Sequence, residues 1–207
     1  MGIIDKIVEK VASTTIANNL DKPIDMLDKK IEKNRQKMFD VGKGKKALFI
    51  RQKLYTIRDY LNVYDENNIV KYKLKGEFIS IKHHMHIYNI DNEEIGYVKE
   101  KILSFKNPLS FQTKPARFFF FANGKRIAKM KSKTVFKDKL VMDNGWVIKG
   151  NFSGFKYKIY NAYGKEIASV KSALFDYGDA YKVEYLEDID ELIILMIVIA
   201  IDMYIGD

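Results

Sequence analysis

The chain has 207 residues, of which 47% are hydrophobic and 30% charged, and it contains no cysteine. This length and composition suit one globular domain of ordinary size with an appended segment, and the lack of cysteine excludes disulfides, thiolate metal sites and cysteine nucleophiles. The net charge of +9 predicts attraction to anionic partners, such as phospholipid headgroups or nucleic acid, without distinguishing between them.

The first 45 residues predict a helical extension that ends in a linker. Apolar residues recur at helical spacing in this stretch, for example at Ile24, Leu27 and Ile31. The segment VGKGKKA, residues 41–47, contains two glycines and three lysines and is typical of a linker. The charges scattered through the N-terminal residues do not match a secretory signal, so we expect a cytoplasmic protein.

From Leu48 onward the apolar residues alternate with a period of two, which predicts β-strands. The phrase LNVYDENNIVKYKLKG alternates on both sides of an Asp/Asn turn, which is typical of a hairpin. Similar phrases, each with two alternating strands around a polar turn, occupy residues 85–99, 117–131, 140–150 and 157–171. Together with flanking strands they predict ten to twelve strands in an antiparallel barrel or sandwich.

The last predicted element is the run ELIILMIVIAID, in which ten residues from Leu192 to Ile201 are all apolar. A helix that is apolar on every side must be buried all round, and ten residues rise only about 15 Å, half of a bilayer core of about 30 Å. Asp188 and Glu191 are spaced as in the capping box of a soluble helix. We therefore predict a mainly β fold in which a barrel of about twelve antiparallel strands encloses this C-terminal hydrophobic helix.

Four stretches of the chain carry a resemblance to a known family: IRQKLYTIRDYLNVYDENNIVKYKLKG, ISIKHHMHIYNIDNEEIGYVKEKI, WVIKGNFSGFKYKIYNAYGKEIASVKS and DELIILMIVIAID. Taken in this order they resemble the LURP-one-related family, which belongs with tubby C-terminal domains and phospholipid scramblases. The resemblance covers about residues 46–207 and leaves residues 1–45 outside the domain. It implies a twelve-stranded barrel around a central hydrophobic helix, and it points to phosphoinositide binding through basic residues on the barrel or to action at membranes.

Basic residues that alternate along strands are candidates for binding a headgroup phosphate or a nucleic-acid backbone. Lys71, Lys73 and Lys75 share one strand face by their spacing, and a second group surrounds a later hairpin. The candidate anion-binding residues are Lys71, Lys73, Lys75, Lys125, Arg126, Lys129, Lys131 and Lys133. The alternative interpretation is that these lysines form the solvated outer face of a barrel.

Two further groups of polar residues have competing interpretations. Among His83, His84 and His86, the last two share a strand face and could bind a divalent metal. We interpret all three as ordinary strand and turn histidines. We therefore predict no metal and no other cofactor. Asp202, at the end of the apolar helix, is either a functional buried carboxylate or an acid near the barrel mouth that backbone amides or a lysine satisfy.

The RFFFF run predicts phenylalanines on both sides of one strand. Phe119 and Phe121 share one face, while Phe118 and Phe120 share the other, so two of these rings must point outward unless another layer covers them. The apolar stripes of residues 1–40 either supply that layer or contact a membrane or a protein partner.

Enzyme signatures such as GxSxG, HExxH and the dinucleotide glycine fingerprint do not occur in the sequence, so we predict a non-enzymatic protein. The leading hypothesis is a module that binds anionic phospholipid or phosphoinositide peripherally through a basic barrel surface. One alternative is a protein- or nucleic-acid-interaction scaffold in which residues 1–40 dock a partner or mediate self-association. Another is scramblase-like lipid handling, which requires the C-terminal helix to leave the barrel.

Overall fold

The computed structural model describes residues 40–51, 61–77, 84–101, 116–132, 139–175 and 178–206. The predicted N-terminal helices, and with them the question of what residues 1–39 contact, lie outside these residues, as do Lys133 and His83.

Within the described ranges, twelve antiparallel strands close into a barrel and one helix follows them. The elements are β1 (Lys45–Arg51), β2 (Leu61–Tyr64), β3 (Val70–Glu77), β4 (His84–Tyr88), β5 (Glu94–Glu100), β6 (Arg117–Ala122), β7 (Lys125–Ser132), β8 (Lys139–Met142), β9 (Val147–Asn151), β10 (Lys156–Tyr160), β11 (Glu166–Phe175), β12 (Gly178–Leu186) and α1 (Glu191–Gly206). Strands that follow one another in sequence also pair in space, and β1 closes the ring by pairing with β2 and β12. The predicted barrel is confirmed.

The same type of hydrogen-bonded turn occurs in three hairpins, and it accounts for the Asp and Asn residues that recur in the hairpin sequences. Asp65, Asn89 and Asn161 each follow the first strand of a hairpin, and each side-chain oxygen accepts hydrogen bonds from the backbone amides two and four residues later, at 2.9–3.0 Å. Short Asp and Asn side chains are suited to this local bonding. Each turn also has a left-handed residue, which is Asn or Gly, such as Asn92 with φ 63° and Gly164 with φ 80°.

A β-bulge follows the turn in four of the hairpins, so that one strand carries an extra residue. The ladder shifts at this point in the β2–β3, β4–β5, β6–β7 and β10–β11 pairs. The extra residue is isoleucine in three hairpins and Lys71 in the first. A bulge bends its strand and increases the local twist, which helps these hairpins to curve into the barrel.

The helix α1 fills the inside of the barrel. Residues Ile194 to Ile201 are all buried, and they pack against inward side chains of the strands such as Phe118 and Phe120. Because each fully buried aliphatic side chain contributes about 1.5–3 kcal/mol, this contact is a main source of the stability of the fold. The prediction that the apolar run is enclosed by protein is confirmed. In the described part of the chain, no helix combines the length and apolar character that crossing a membrane requires.

The start of α1 differs from the predicted capping box. Asp190, not Asp188, provides the cap, because its Oδ1 accepts a hydrogen bond from the Leu192 amide at 2.9 Å. The carboxylate of Glu191, which the capping box would turn back to its own helix, instead bonds to the barrel wall.

At Gly96 the barrel wall lies close to the helix. A Cβ atom at this position would lie 2.6 Å from Met196 Cε and 2.6 Å from the carbonyl oxygen of Phe121. Met196 can move, but the Phe121 backbone belongs to the paired strand β6. We therefore expect Gly96→Ala to lower the free energy of unfolding by about 1–3 kcal/mol, the usual cost of overpacking.

Urea denaturation of Gly96→Ala and Gly42→Ala measures this effect against a matched control. The new Cβ of Gly42→Ala meets only Lys45 Cδ at 3.7 Å, an ordinary contact, so its midpoint should equal that of the wild type. Equal midpoints for both variants would show that the wall and helix are less tightly packed at Gly96 than the structure indicates.

Candidate anion-binding face

The outer surface of β5, β6 and β7 gathers basic side chains around one phenylalanine. In the strand register, Phe119 lies between Lys99 and Lys129. In the next row, Arg117 lies opposite Lys131, and a hydrogen bond of 2.8 Å from the Lys101 amide to the Arg117 carbonyl continues that row. We call this set the β6 face; it consists of Lys99, Lys101, Arg117, Phe119, Lys129 and Lys131.

Strand alternation fixes the outward direction of the β6 face. Phe118, Phe120 and Met130 are fully buried against α1, so their strand neighbours must point away from the core. Directly opposed side chains in an antiparallel pair have Cβ atoms about 5 Å apart, and the next residue on the same face lies about 7 Å along the strand. Five positively charged side chains thus lie around the ring of Phe119. A single ligand that carries phosphate groups is large enough to contact them together.

The ring at the centre of the β6 face is already in contact with cations. The Arg126 guanidinium carbon lies 5.8 Å from the centroid of Phe119, and Lys129 Nζ lies 6.0 Å from it. Both distances are within the range of a cation–π interaction. Beside this ring, Phe121 stacks on Tyr97 with centroids 4.5 Å apart and planes 9° apart, so the aromatic surface continues onto β5.

One described acid, Asp143, lies at the edge of the β6 face, where its Oδ1 accepts a hydrogen bond of 3.1 Å from the Lys129 backbone amide. None of the five basic side chains of the β6 face forms an ion pair with a described carboxylate, whereas Lys158 lies 2.6 Å from Glu166 and Lys182 lies 2.8 Å from Glu184. Like charges on directly opposed strand positions destabilise a sheet. The pairing of Arg117 with Lys131 therefore does not stabilise the fold by itself. An anion that binds between the two side chains would relieve their repulsion.

The structure separates the two lysine stripes that the sequence predicts. Strands β3 and β7 are four strands apart in the barrel, which is about 19 Å along the sheet at the usual strand spacing. Lys129 and Lys131 belong to the β6 face, and Arg126 covers its ring. Lys125 is exposed at the adjoining turn. Anion binding by all of these residues stays a prediction.

The three lysines of the stripe on β3 have different contacts. Lys71 is the bulge residue of the β2–β3 pair, and its ammonium group lies 2.7 Å from Glu191 Oε1. Lys73 Nζ donates a hydrogen bond of 2.7 Å to Asn92 Oδ1, and Lys75 is exposed opposite His86. Lys71 is thus paired with an acid, whereas Lys73 bonds to an amide oxygen, and anion binding by this stripe stays a prediction.

Three basic residues of the β6 face, Lys99, Lys101 and Arg117, were missed by reasoning along single strands. Their grouping depends on which strand positions oppose one another, and Arg117 is separated from Lys101 by residues 102–115. The hairpin phrase of residues 117–131 does contain enough information to place Arg117 opposite Lys131 once the bulge is counted.

The histidines lie near an acid that the sequence analysis did not associate with them. His86 Nδ1 is 3.0 Å from Glu94 Oε2, and both His84 and His86 contact the ring of Tyr97. Among the residues that the structure describes, no group of three or more His, Asp or Glu side chains is arranged to hold a metal ion.

A second carboxylate, Asp202, is mostly enclosed near the C-terminal end of α1. Burial raises its pKa, and a hydrogen bond donated by Tyr181 at 3.3 Å partly opposes that effect. The donor is thus a tyrosine and not the lysine or backbone amide that the sequence suggested. The Tyr157 hydroxyl nearby is fully buried and accepts or donates no hydrogen bond within the described residues.

At the other end of α1, three donors converge on Glu191. Its carboxylate accepts hydrogen bonds from Lys71 at 2.8 Å, from Tyr72 at 2.5 Å and from Tyr185. Burial alone would raise the pKa of Glu191, but the bonds from Lys71, Tyr185 and Tyr72 outweigh burial, and the pKa lies below its ordinary value. The charged carboxylate therefore attaches the start of the helix to β3 and β12.

Comparison with known proteins agrees with this architecture. Residues 46–202 match the family model described as LURP-one-related. An uncharacterized protein of Bacillus subtilis (strain 168), YxjI, is 23% identical over 158 residues, which are 75% of this chain and 91% of YxjI.

A solved structure shows the same fold at low identity. The X-ray structure of the Arabidopsis thaliana protein AT5G01750 superposes with a TM-score of 0.57 at 13% identity, covering 77% of this chain and 91% of that one. Because the family model spans most of the chain and coincides with the described barrel and its enclosed helix, the chain belongs to the LURP-one-related family.

Proposed function

We propose that the protein is a non-catalytic binding module that docks peripherally on anionic phospholipid through the β6 face. The observation that carries the proposal is the set of five basic side chains around Phe119, none of them paired with a described acid. Each basic residue near an anionic bilayer contributes about 1 kcal/mol of attraction. Five such residues therefore give a useful affinity without any inserted segment.

Contacts at Phe119 favour a headgroup over a nucleic acid. Proteins that bind single strands stack bases on open aromatic rings, but Arg126 and Lys129 lie beside the ring of Phe119. A base would have to displace these cations, whereas a phosphate bonds to them where they are. The fold of the family is compatible with such a module, and the choice of ligand is our proposal.

Co-sedimentation with vesicles tests the proposal. The wild type should bind vesicles of phosphatidylcholine with phosphatidylserine or a phosphoinositide, should bind pure phosphatidylcholine weakly, and should be released by salt. We expect Arg117→Glu combined with Lys131→Glu to lower binding at least about 30-fold, because losing two attractions of about 1 kcal/mol each already gives that factor.

The matched control is Lys73→Glu with Lys75→Glu, which changes the net charge by the same amount on the stripe predicted from sequence alone. It should reduce binding much less, since Lys73 already bonds to Asn92 and β3 lies four strands from β7. Equal losses in the two double variants would mean that only net charge matters. Equal binding of the wild type to neutral and anionic vesicles, or binding only to single-stranded RNA, would refute the proposal.

A further inference from the structure

A second basic face, on strands β8 to β11, adjoins the β6 face where β7 pairs with β8 and was not predicted from the sequence. The register places Lys149 between Lys139 and Lys158 on three neighbouring strands, and it places Lys156 opposite Lys171 in the next row. We call this set the β10 face; it consists of Lys139, Lys149, Lys156, Lys158, Tyr160 and Lys171.

The β10 face repeats the chemistry of the β6 face. Lys149 Nζ lies 5.8 Å from the ring centroid of Tyr160, much as Lys129 lies near Phe119. Tyr157 and Ile159 are buried against the core, so the alternating lysines of β10 point outward. Of its five lysines only Lys158 forms an ion pair with an acid in the described ranges, and that acid is Glu166.

The closed barrel makes the two faces point in different directions. Twelve strands share one full turn, about 30° each, so the side chains of β6 and β10, four strands apart, point about 120° from each other. Strand side chains stand roughly perpendicular to the sheet. A single flat surface that meets the β6 face squarely therefore leaves the β10 face directed away from it.

We propose that the protein bridges two anionic membranes, with the β6 face on one bilayer and the β10 face on the other. This inference rests on the proposed function, because it requires that the β6 face binds anionic phospholipid. The β10 face, in which Glu166 neutralises Lys158, then adds a second and weaker site of the same ligand class, and one chain with two divergent sites is bivalent. Attachment to one membrane needs only the charges of the β6 face, whereas bridging needs the charges of both faces.

Vesicle clustering, measured by turbidity and by energy transfer between two differently labelled vesicle populations, tests the inference on the full chain. The wild type should cluster vesicles that contain phosphatidylserine and should not cluster pure phosphatidylcholine vesicles. Lys156→Glu with Lys171→Glu should reduce clustering to the level without protein, while it lowers co-sedimentation much less than Arg117→Glu with Lys131→Glu does. Lys45→Glu with Lys46→Glu, an equal charge change at exposed positions outside both faces, should leave both readouts unchanged.

Each other outcome overturns a specific statement. Unchanged clustering by Lys156→Glu with Lys171→Glu would show that bridging comes from self-association of the chain and not from the β10 face. Equal loss of clustering and co-sedimentation in that variant would show that both faces engage one membrane. A wild type that co-sediments without clustering refutes the bridging inference and leaves the proposed function intact, whereas a wild type that does neither refutes the proposed function.

Discussion

Ile197→Asp should leave almost no folded protein. Ile197 is completely buried in the middle of α1, so the substitution removes a packed side chain, at about 2–5 kcal/mol, and also places a carboxyl group where nothing polar solvates it. The two costs together reach the total stability of about 5–15 kcal/mol that is usual for a domain. Circular dichroism at 25 °C should show loss of the β signal, and the protein should accumulate in the insoluble fraction.

The control uses the same chemical change on the surface. Ile69, in the turn between β2 and β3, is 62% exposed, so Ile69→Asp should keep the wild-type spectrum and melting temperature. A folded Ile197→Asp variant with native-like stability would mean that α1 is not enclosed by the barrel. Both the described fold and the two proposals that depend on a closed barrel would then be wrong.

Glu191→Ala should destabilise the barrel by about 2–4 kcal/mol. The substitution leaves Tyr72, Tyr185 and Lys71 without the acceptor they share, and hydrogen bonds to a charged group contribute about 1.5–3 kcal/mol each before solvent replaces them. The side chain of Glu191 is 16% exposed, so water compensates only in part. Glu191→Gln keeps an acceptor for the tyrosines and should lose less, about 1–2 kcal/mol.

The pH dependence of the same variants isolates the charge of Glu191. Because its pKa is lower in the folded state than the ordinary value of 4.5, the charged form stabilises the fold above about that pH, and this contribution is lost as the pH falls through the folded pKa. The difference in unfolding free energy between the wild type and Glu191→Gln should therefore be constant near neutral pH and shrink below pH 4.5. A difference that stays constant down to acidic pH would show that the carboxylate acts by shape alone.

Asp202 changes the pH dependence of the unfolding free energy in the opposite direction to Glu191. For this reason the experiment compares two variants and does not rely on the absolute stability of either. Burial raises its pKa in the folded state, so its ionisation opposes folding as the pH rises above the ordinary value for aspartate. Both the wild type and Glu191→Gln contain Asp202, and its contribution cancels in their difference.

The barrel and its enclosed helix were predictable because their signals are local. Alternation of apolar residues marks each strand, and Asp65, Asn89 and Asn161 mark equivalent turns through bonds that span only four residues. The run from Leu192 to Ile201 is too short for a bilayer and apolar on every side, so burial inside protein was the remaining solution.

The assignment of the helix cap shows where local signals were insufficient. Asp188 and Glu191 have the spacing of a capping box, yet Glu191 is held by Lys71, 120 residues away. The three hydrogen bonds that Glu191 accepts from β3 and β12 outweigh one bond within its own helix. No short-range sequence pattern indicates which strands supply these donors.

The sequence alone determined the fold class, the hairpins, their turns and the enclosed apolar helix, because each depends on residues within a few positions of one another. The pairing of strands decided which charges from different hairpins are neighbours. Cross-strand register joins Lys101 to Arg117 and Lys139 to Lys149 and Lys158, and Lys71 of β3 pairs with Glu191 of the helix. Each bulge shifts every later pair of its hairpin by one residue, so the two basic faces form only when their strands pair in the final register.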